Sequence, residues 1–179
     1  DEPASGLDEA AARTLEETGV ADETIFVFTS DHGDMHGSQG KRSWRKQLPW
    51  EESVRVPYLL RYPAMHGGGR AVKTPFNTPD LLPTLLSLAG IDIPDTVEGE
   101  DLSDLIRNSD EAVRDRAVLF MSVSPFGARD FKPSRGVRNT KYTYVRDSDG
   151  PWLLYDNQSD PYQTKNLIDE PGMASVREA

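Results

Sequence analysis

The chain contains no cysteine. That excludes disulfides, thiolate-bound metals and a cysteine nucleophile within it. It does not fix the compartment, because a cysteine-free chain survives in either redox state. Long apolar runs are missing too, and no stretch approaches the roughly 20 residues of a membrane-spanning helix. Positive charge is scarce: 30 acidic against 20 basic residues leave a net charge of -10. Such a balance argues against a nucleic-acid backbone or an anionic membrane as the partner. It says little about an anionic small substrate, since a local cation can outweigh the global charge inside a cleft. The N-terminus, Asp1-Glu-Pro-Ala, shows neither an initiator Met nor a signal peptide and runs directly into a helical pattern. The sequence is therefore expected to be a fragment of a longer protein.

What is present fits a globular fold. The 179 residues, 36% hydrophobic and 28% charged, suffice for one ordinary domain or a domain with a small appendage. Ser5-x-x-Asp8 reads as a helix start, Leu7, Ala11 and Leu15 recur at helical spacing, and Gly19 is a stop signal. Thr24–Ser30 is a β-branched and aromatic run without polar alternation, which predicts a strand buried on both faces. Residues 31–53 form a long polar, aromatic and basic loop, and its interleaved Trp44, Leu48 and Trp50 predict that it is ordered. Val54–Tyr62 reads as a second strand, irregular or at an edge because of Pro57. His66-Gly-Gly-Gly69 is a turn. Thr78-Pro-Asp80 opens a helix whose apolar face is Leu81, Leu82, Leu85, Leu86 and Leu88, and Gly90 ends it. A short helix is expected around Asp101–Arg107.

From Ala117 the pattern changes. Ala117–Val123, Arg135–Asn139, Lys141–Arg146 and Trp152–Tyr155 read as an antiparallel sheet with short turns. Asp160–Leu167 is a turn leading into a final short helix. The expected fold class is thus α/β: part of a mostly parallel sheet with flanking helices over residues 1–112, then a small α+β subdomain with a four-stranded antiparallel sheet over 113–179.

Chemistry concentrates where the first strand ends, at Asp31-His32-Gly33-Asp34. Open α/β sheets bind ligands just past the carboxyl ends of their strands. Adjacent Asp and His side chains diverge along a strand, but at a strand-to-loop turn both reach one ion. The carboxylate is a hard ligand for Ca²⁺, Mg²⁺ or Mn²⁺, and the imidazole favours Zn²⁺, Fe²⁺ or Mn²⁺. Two ligands are too few for any of these. The pair alone is equally compatible with a loop carboxylate beside a hydrogen-bonded histidine.

Ser30-Asp31-His32-Gly33-Asp34, then Lys46 five residues before Glu51, then Glu51-Glu-Ser-Val-Arg-Val-Pro57, resembles the C-terminal half of the sulfatase family. Thr78-Pro-Asp-Leu-Leu-Pro-Thr-Leu-Leu86 is similar to that family's next helix. Arg135-Gly-Val-Arg138, Lys141-Tyr142 and Leu154-Tyr-Asp156 with Asp160-Pro161 and Asn166-Leu167 resemble its small C-terminal sheet. The resemblance implies hydrolysis of a sulfate ester, on a small molecule or saccharide, by attack of a hydrated formylglycine on sulfur. It also implies a divalent cation: Ca²⁺ in first place, Mg²⁺ or Mn²⁺ as alternatives. Asp31 and His32 would be metal ligands, with His32 alternatively donating a hydrogen bond to the leaving oxygen, and Lys46 would contact the sulfate oxygens. The formylglycine motif, Cys/Ser-x-Pro-x-Arg, is absent, and Phe131-Lys-Pro133-Ser-Arg135 offers no nucleophile. The nucleophile is therefore expected outside these residues, and this chain alone is expected to be inactive. A metal-dependent phosphodiesterase or phosphonate monoester hydrolase of the same superfamily is the alternative, and a non-catalytic module the third reading.

Other residues carry two readings each. Lys41, Arg42 and Arg45 make a solvated basic loop or attract an anionic substrate. His36 lines the pocket or sits on the surface. Trp44 and Trp50 read as anchors of the loop before substrate platforms, and His66 as plain loop. Glu51 and Arg55 are expected to pair structurally, and Arg138 and Tyr142 to pack in the sheet. In isolation the chain is expected to self-associate through sheet edges and apolar faces.

Overall fold

The computed structural model describes residues 7–41, 46–64, 69–108, 113–123 and 132–178. These fall into two compact units. The first takes residues 1–30, 57–72 and 78–112, and the second residues 31–56, 73–77 and 113–179. Residues 113 onward thus share a unit with the long loop after the first strand. The start signal at Ser5, the turn at His66, and Arg42, Trp44 and Arg45 lie outside the described residues.

In the first unit, helix α1 (Leu7–Glu17) ends at Gly19, whose φ of 74° suits a residue without a side chain. Strand β1 (Phe26–Thr29) pairs with β2 (Tyr58–Arg61), Phe26 opposite Arg61 and Thr29 opposite Tyr58. This pairing is antiparallel. It corrects the expectation of a mostly parallel sheet: among the described residues the first unit holds a two-stranded ribbon. In this ribbon β1 is half-buried and not enclosed on both faces. Strand direction is also invisible in a strand's own composition. The second strand starts later than expected, because Glu51–Val54 forms a short helix, α2, and Pro57 brings no amide to a ladder.

Helix α3 spans Thr78–Leu88. Pro83 has no N–H to give the Pro79 carbonyl, and the loop at Gly99 lies directly over that carbonyl, where a Cβ would come within 1.9 Å of the oxygen. The Asp80 carboxylate accepts from the Glu100 amide at 3.0 Å and the Thr84 hydroxyl from the Leu102 amide at 3.0 Å. These buried polar bonds dock the loop that opens helix α4 (Ser103–Arg107) onto α3. The guanidinium of Arg107 donates to the Ser87 carbonyl near the end of α3.

The second unit is built on an antiparallel meander of β3 (Val118–Ser122), β4 (Ser134–Arg138), β5 (Tyr142–Asp147) and β6 (Gly150–Asp156). Each strand falls within one or two residues of its expected span. One face carries Phe120, Val145, Leu153 and Tyr155, and the loop residues Met35, Leu48 and Trp50 complete that core. Gly136 makes the packing possible, since a Cβ there would lie 2.2 Å from the Phe120 ring. The other face leaves Leu119, Met121, Val123 and Val137 exposed along a groove of about 1010 Å³ that Arg135, Arg146 and Arg177 also line. The chain ends in helix α5 (Ala174–Glu178). No helix among the described residues is long and apolar enough to cross a membrane.

Candidate functional site

The described residues of the 31–56 loop are anchored by their own apolar side chains. Met35 is fully buried and Leu48 is 1% exposed, both against the four-stranded sheet. Trp50 donates its indole N–H to the Tyr155 hydroxyl at 3.1 Å and meets Trp152 edge-on at 5.5 Å. Trp50 is therefore the anchor that its place in the loop suggested. Burial pushes the Tyr155 phenol above its ordinary value. The Trp50 bond opposes that, and the charges of Asp160 and Glu52 add to it. Tyr155 is thus a neutral phenol at physiological pH, which suits a packing role and not that of a base.

The Asp31-His32-Gly33 turn is fixed by its backbone. The Gly33 amide donates to the Ser53 carbonyl at 2.9 Å. The Glu52 carbonyl packs so closely that a Cβ on Gly33 would lie 1.9 Å from its oxygen. Any side chain there would push α2 away from the turn, which is the physical reason that glycine follows His32. The His32 Nδ1 lies 2.8 Å from the Gly33 carbonyl oxygen. A carbonyl only accepts, so Nδ1 carries a hydrogen, and in the neutral ring Nε2 then presents its lone pair. That Nε2 stands 3.4 Å from Asp31 Oδ2, while Asp31 Oδ1 accepts the His32 amide at 3.0 Å.

A carboxylate oxygen and an imidazole lone pair therefore face the same point, and the second ring nitrogen is held by a carbonyl as in metal-ligating histidines. At metal–ligand distances of about 2.0–2.6 Å one ion reaches both atoms. The Asp31 side chain is 83% exposed, so the pair opens to solvent. Among the described residues no group of three or more His, Asp or Glu side chains is placed to hold an ion. Asp31 and His32 thus fit a cation as part of a ligand set and do not complete one.

The other expected site residues are placed differently. Lys46 is exposed and makes no hydrogen bond or ion pair with the described residues. His36 is exposed with φ 44°, and its amide donates to Asp34 Oδ1 at 3.1 Å. Gln39 and Gln47 of the same loop also hold left-handed backbone, at φ 56° and 60°. Non-glycine residues adopt that conformation at a cost and mostly where the surroundings enforce it, often at functional sites. The Lys41 ammonium lies 5.2 Å over the Trp50 ring.

Glu51 does pair structurally, but its main partner is not Arg55. Arg138 of β4 donates to both Glu51 carboxylate oxygens, at 2.6 and 3.0 Å, whereas Arg55 stands at 3.8 Å. A planar guanidinium matches a carboxylate at two points, which favours Arg138 over a neighbour on the same helical turn. The sequence reading missed two further residues that hold the loop, Met35 and Gln163. The Gln163 side chain accepts from the Glu51 amide at 3.0 Å. Neither lies in a periodic pattern that would have marked it.

This arrangement can be set against known proteins. Residues 40–179 match the family model described as N-sulphoglucosamine sulphohydrolase, C-terminal. The chain belongs to the sulfatase family. It corresponds to a C-terminal portion of it. The ulvan-active sulfatase of Formosa agariphila is 46% identical over 179 residues, covering 97% of this chain and 35% of that protein. Among solved structures, a protein in complex with its substrate, D-glucosamine-2-N,6-O-disulfate, superposes with a TM-score of 0.82 at 25% identity, over 95% of this chain and 35% of that one. A phosphonate monoester hydrolase from Silicibacter pomeroyi superposes with a TM-score of 0.73 at 27% identity, over 94% of this chain and 35% of that one. This sulfatase portion spans about a third of the length of the curated relatives it matches.

Proposed function

We propose that the protein containing this chain hydrolyses the sulfate ester of a saccharide, and that the Asp31–His32 turn and Lys46 form one wall of its active site. The observation that carries this reading is the convergence of Asp31 Oδ2 and His32 Nε2, 3.4 Å apart, in a chain of the sulfatase family. Asp31 holds a divalent cation, Ca²⁺ before Mg²⁺ or Mn²⁺, because a hard carboxylate suits these ions. His32 offers Nε2 to the same ion or, protonated, to the leaving oxygen, and its Nδ1 bond to Gly33 fixes the ring for either task. Lys46 brings an ammonium to the sulfate oxygens, where a flexible point charge offsets the net charge of -10. His36 lines the same mouth. When bound, the cation neutralises charge that builds on the sulfate oxygens. The nucleophile is a formylglycine supplied by residues outside this chain, since no Cys/Ser-x-Pro-x-Arg motif occurs here.

The test uses the full-length protein. Sulfate release from an aryl sulfate and from a sulfated oligosaccharide is measured with and without a chelator, for wild type and Asp31→Asn. Chelator-sensitive release that Asp31→Asn largely abolishes is the expected result. Chelator-insensitive release, or faster turnover of a phosphonate monoester than of any sulfate ester, overturns it. The second outcome would favour the phosphonate hydrolase reading, which the Silicibacter pomeroyi likeness supports.

A further inference from the structure

Gln163 uses every hydrogen-bonding group it has. Its side chain is almost fully enclosed, at 1% exposure, on a backbone with φ 52°. Oε1 accepts from the Glu51 amide at 3.0 Å, and Nε2 reaches Asn157 Oδ1 at 3.5 Å. Asn157 Oδ1 also accepts from the Thr143 hydroxyl of β5 at 2.9 Å, which ties the cluster to the sheet. The Gln163 amide donates to the Asp160 carbonyl at 3.0 Å. Its carbonyl accepts from Gln39 Nε2 at 3.2 Å, and the same amide nitrogen reaches the Tyr162 carbonyl at 3.0 Å.

Two consequences follow from this placement. Helix α2 has no side-chain cap of its own, so Gln163 supplies the acceptor that its first amide needs. The Glu52 and Ser53 carbonyls of α2 are in turn the atoms that pack on Gly33 and bond its amide. One residue therefore also closes the stretch from Gln39 to Glu51, with its carbonyl at one end and its carboxamide at the other, and Lys46 lies between them.

We propose that Gln163 is a positioning residue for the active site: it staples both ends of the Lys46 segment and, through α2, sets the Asp31–His32 turn. This rests on the sulfatase reading above for its effect on rate, but not for the clamp itself. A left-handed residue with its side chain buried in a polar cluster is costly to keep. Here the return is a loop whose ends cannot drift apart, which lowers the entropy cost of holding Lys46 near an anion.

The experiment compares Gln163→Met, Gln163→Glu and Gln39→Leu with wild type in the full-length protein, by amide hydrogen exchange and by kcat and KM for an aryl sulfate. Gln163→Met keeps the length of the side chain and removes the acceptor. Exchange over residues 50–54 is expected to rise about tenfold, the effect of one lost hydrogen bond, with β5 and β6 unchanged. Displacing reacting groups by a fraction of an ångström should lower kcat roughly 10- to 100-fold with KM altered less than about threefold. Gln163→Glu retains an acceptor oxygen and is expected to recover both readouts to within about threefold of wild type. Gln39→Leu leaves the buried cluster intact, and is expected to shift the same readouts in the same direction by less; it decides the matter if Gln163→Met does not fold. Unchanged exchange in Gln163→Met, raised exchange with unchanged kcat, or a Gln163→Glu protein as impaired as Gln163→Met overturns the proposal. A wild-type protein that releases no sulfate would sink the functional reading instead, and the exchange arm would still judge the clamp.

Discussion

Gly33 is locked by the backbone of residues 52–53, whereas Lys46, further along the same loop, is exposed and bonded to none of the described residues. Both belong to the proposed site, and the contrast follows from what each has to do. A ligand set would have to place small donor atoms within tenths of an ångström of one ion, and the turn proposed to carry two of them is clamped by main-chain contacts. An ammonium on a four-carbon stem finds its anion through a field that falls off slowly. In the proposed site the Asp31–His32 turn is fixed at its own backbone, whereas the Lys46 segment is held at its two ends and its ammonium reaches out on a flexible stem.

The most severe way to break that contrast is Gly33→Ala. The new Cβ would meet the Glu52 carbonyl at 1.9 Å, and that atom is backbone with no rotamer to escape to. We expect a stability loss of about 1–3 kcal/mol, as for other overpacked sites, and at least roughly a 100-fold loss of sulfate release as the turn is displaced. Thermal unfolding and kcat/KM of the full-length variant check both. Activity within twofold of wild type would show that the close approach does not set the turn.

Asp31→Asn separates chemistry from stability. Its side chain is 83% exposed, so unfolding should stay within about 0.5 kcal/mol of wild type. Turnover should fall roughly 100- to 1,000-fold, and isothermal titration should show weaker divalent-cation binding. Lys46→Ala should cost less, about 10- to 100-fold in kcat/KM, again with unchanged stability. Lys46→Arg should recover part of it if the segment tolerates a broader cation. A Lys46→Ala effect larger than that of Asp31→Asn would invert the comparison and make the ammonium the dominant charge.

The sequence made some of this readable and hid the rest for physical reasons. The antiparallel meander was legible because its turns and alternating strands are local patterns, and the Asp31-His32 junction because an apolar run stops in polar chemistry. The direction of β1 against β2 was not, since pairing is a property of two strands together. Val54-Arg-Val-Pro57 reads as extended chain, yet Val54 closes a helical turn: Trp50 and the Gln163 bond to Glu51 start that turn, and both depend on residues 100 or so positions away. The Glu51–Arg138 pair was hidden in the same way, as the nearer Arg55 was the obvious partner. Met35 looked like one more loop residue because its burial is supplied by the sheet and not by its neighbours in sequence.

The smallest expected effect concerns acid. Burial pushes the Asp160 carboxyl up, but the Lys165 and Thr164 amides and the Thr164 hydroxyl, which hydrogen-bond to it, outweigh that and hold it below its ordinary 3.8. Two of these bonds measure 2.8 Å from the Lys165 amide and 3.0 Å from the Thr164 hydroxyl. A carboxylate with a lowered folded-state value stabilises the fold above its ordinary value, and that contribution disappears as the pH falls through the folded one. Asp160 also accepts the Gln163 amide through its carbonyl, so the turn that loosens is the one that carries the clamp. Between neutral pH and about 4 the clamp should be unaffected, and below 3.8 it should weaken. Hydrogen exchange corrected for its intrinsic pH dependence should then rise over α2 before it rises in β5, and Asp160→Asn, which does not titrate, should remove that step. A step that persists in Asp160→Asn would assign the acid sensitivity of α2 to another carboxylate.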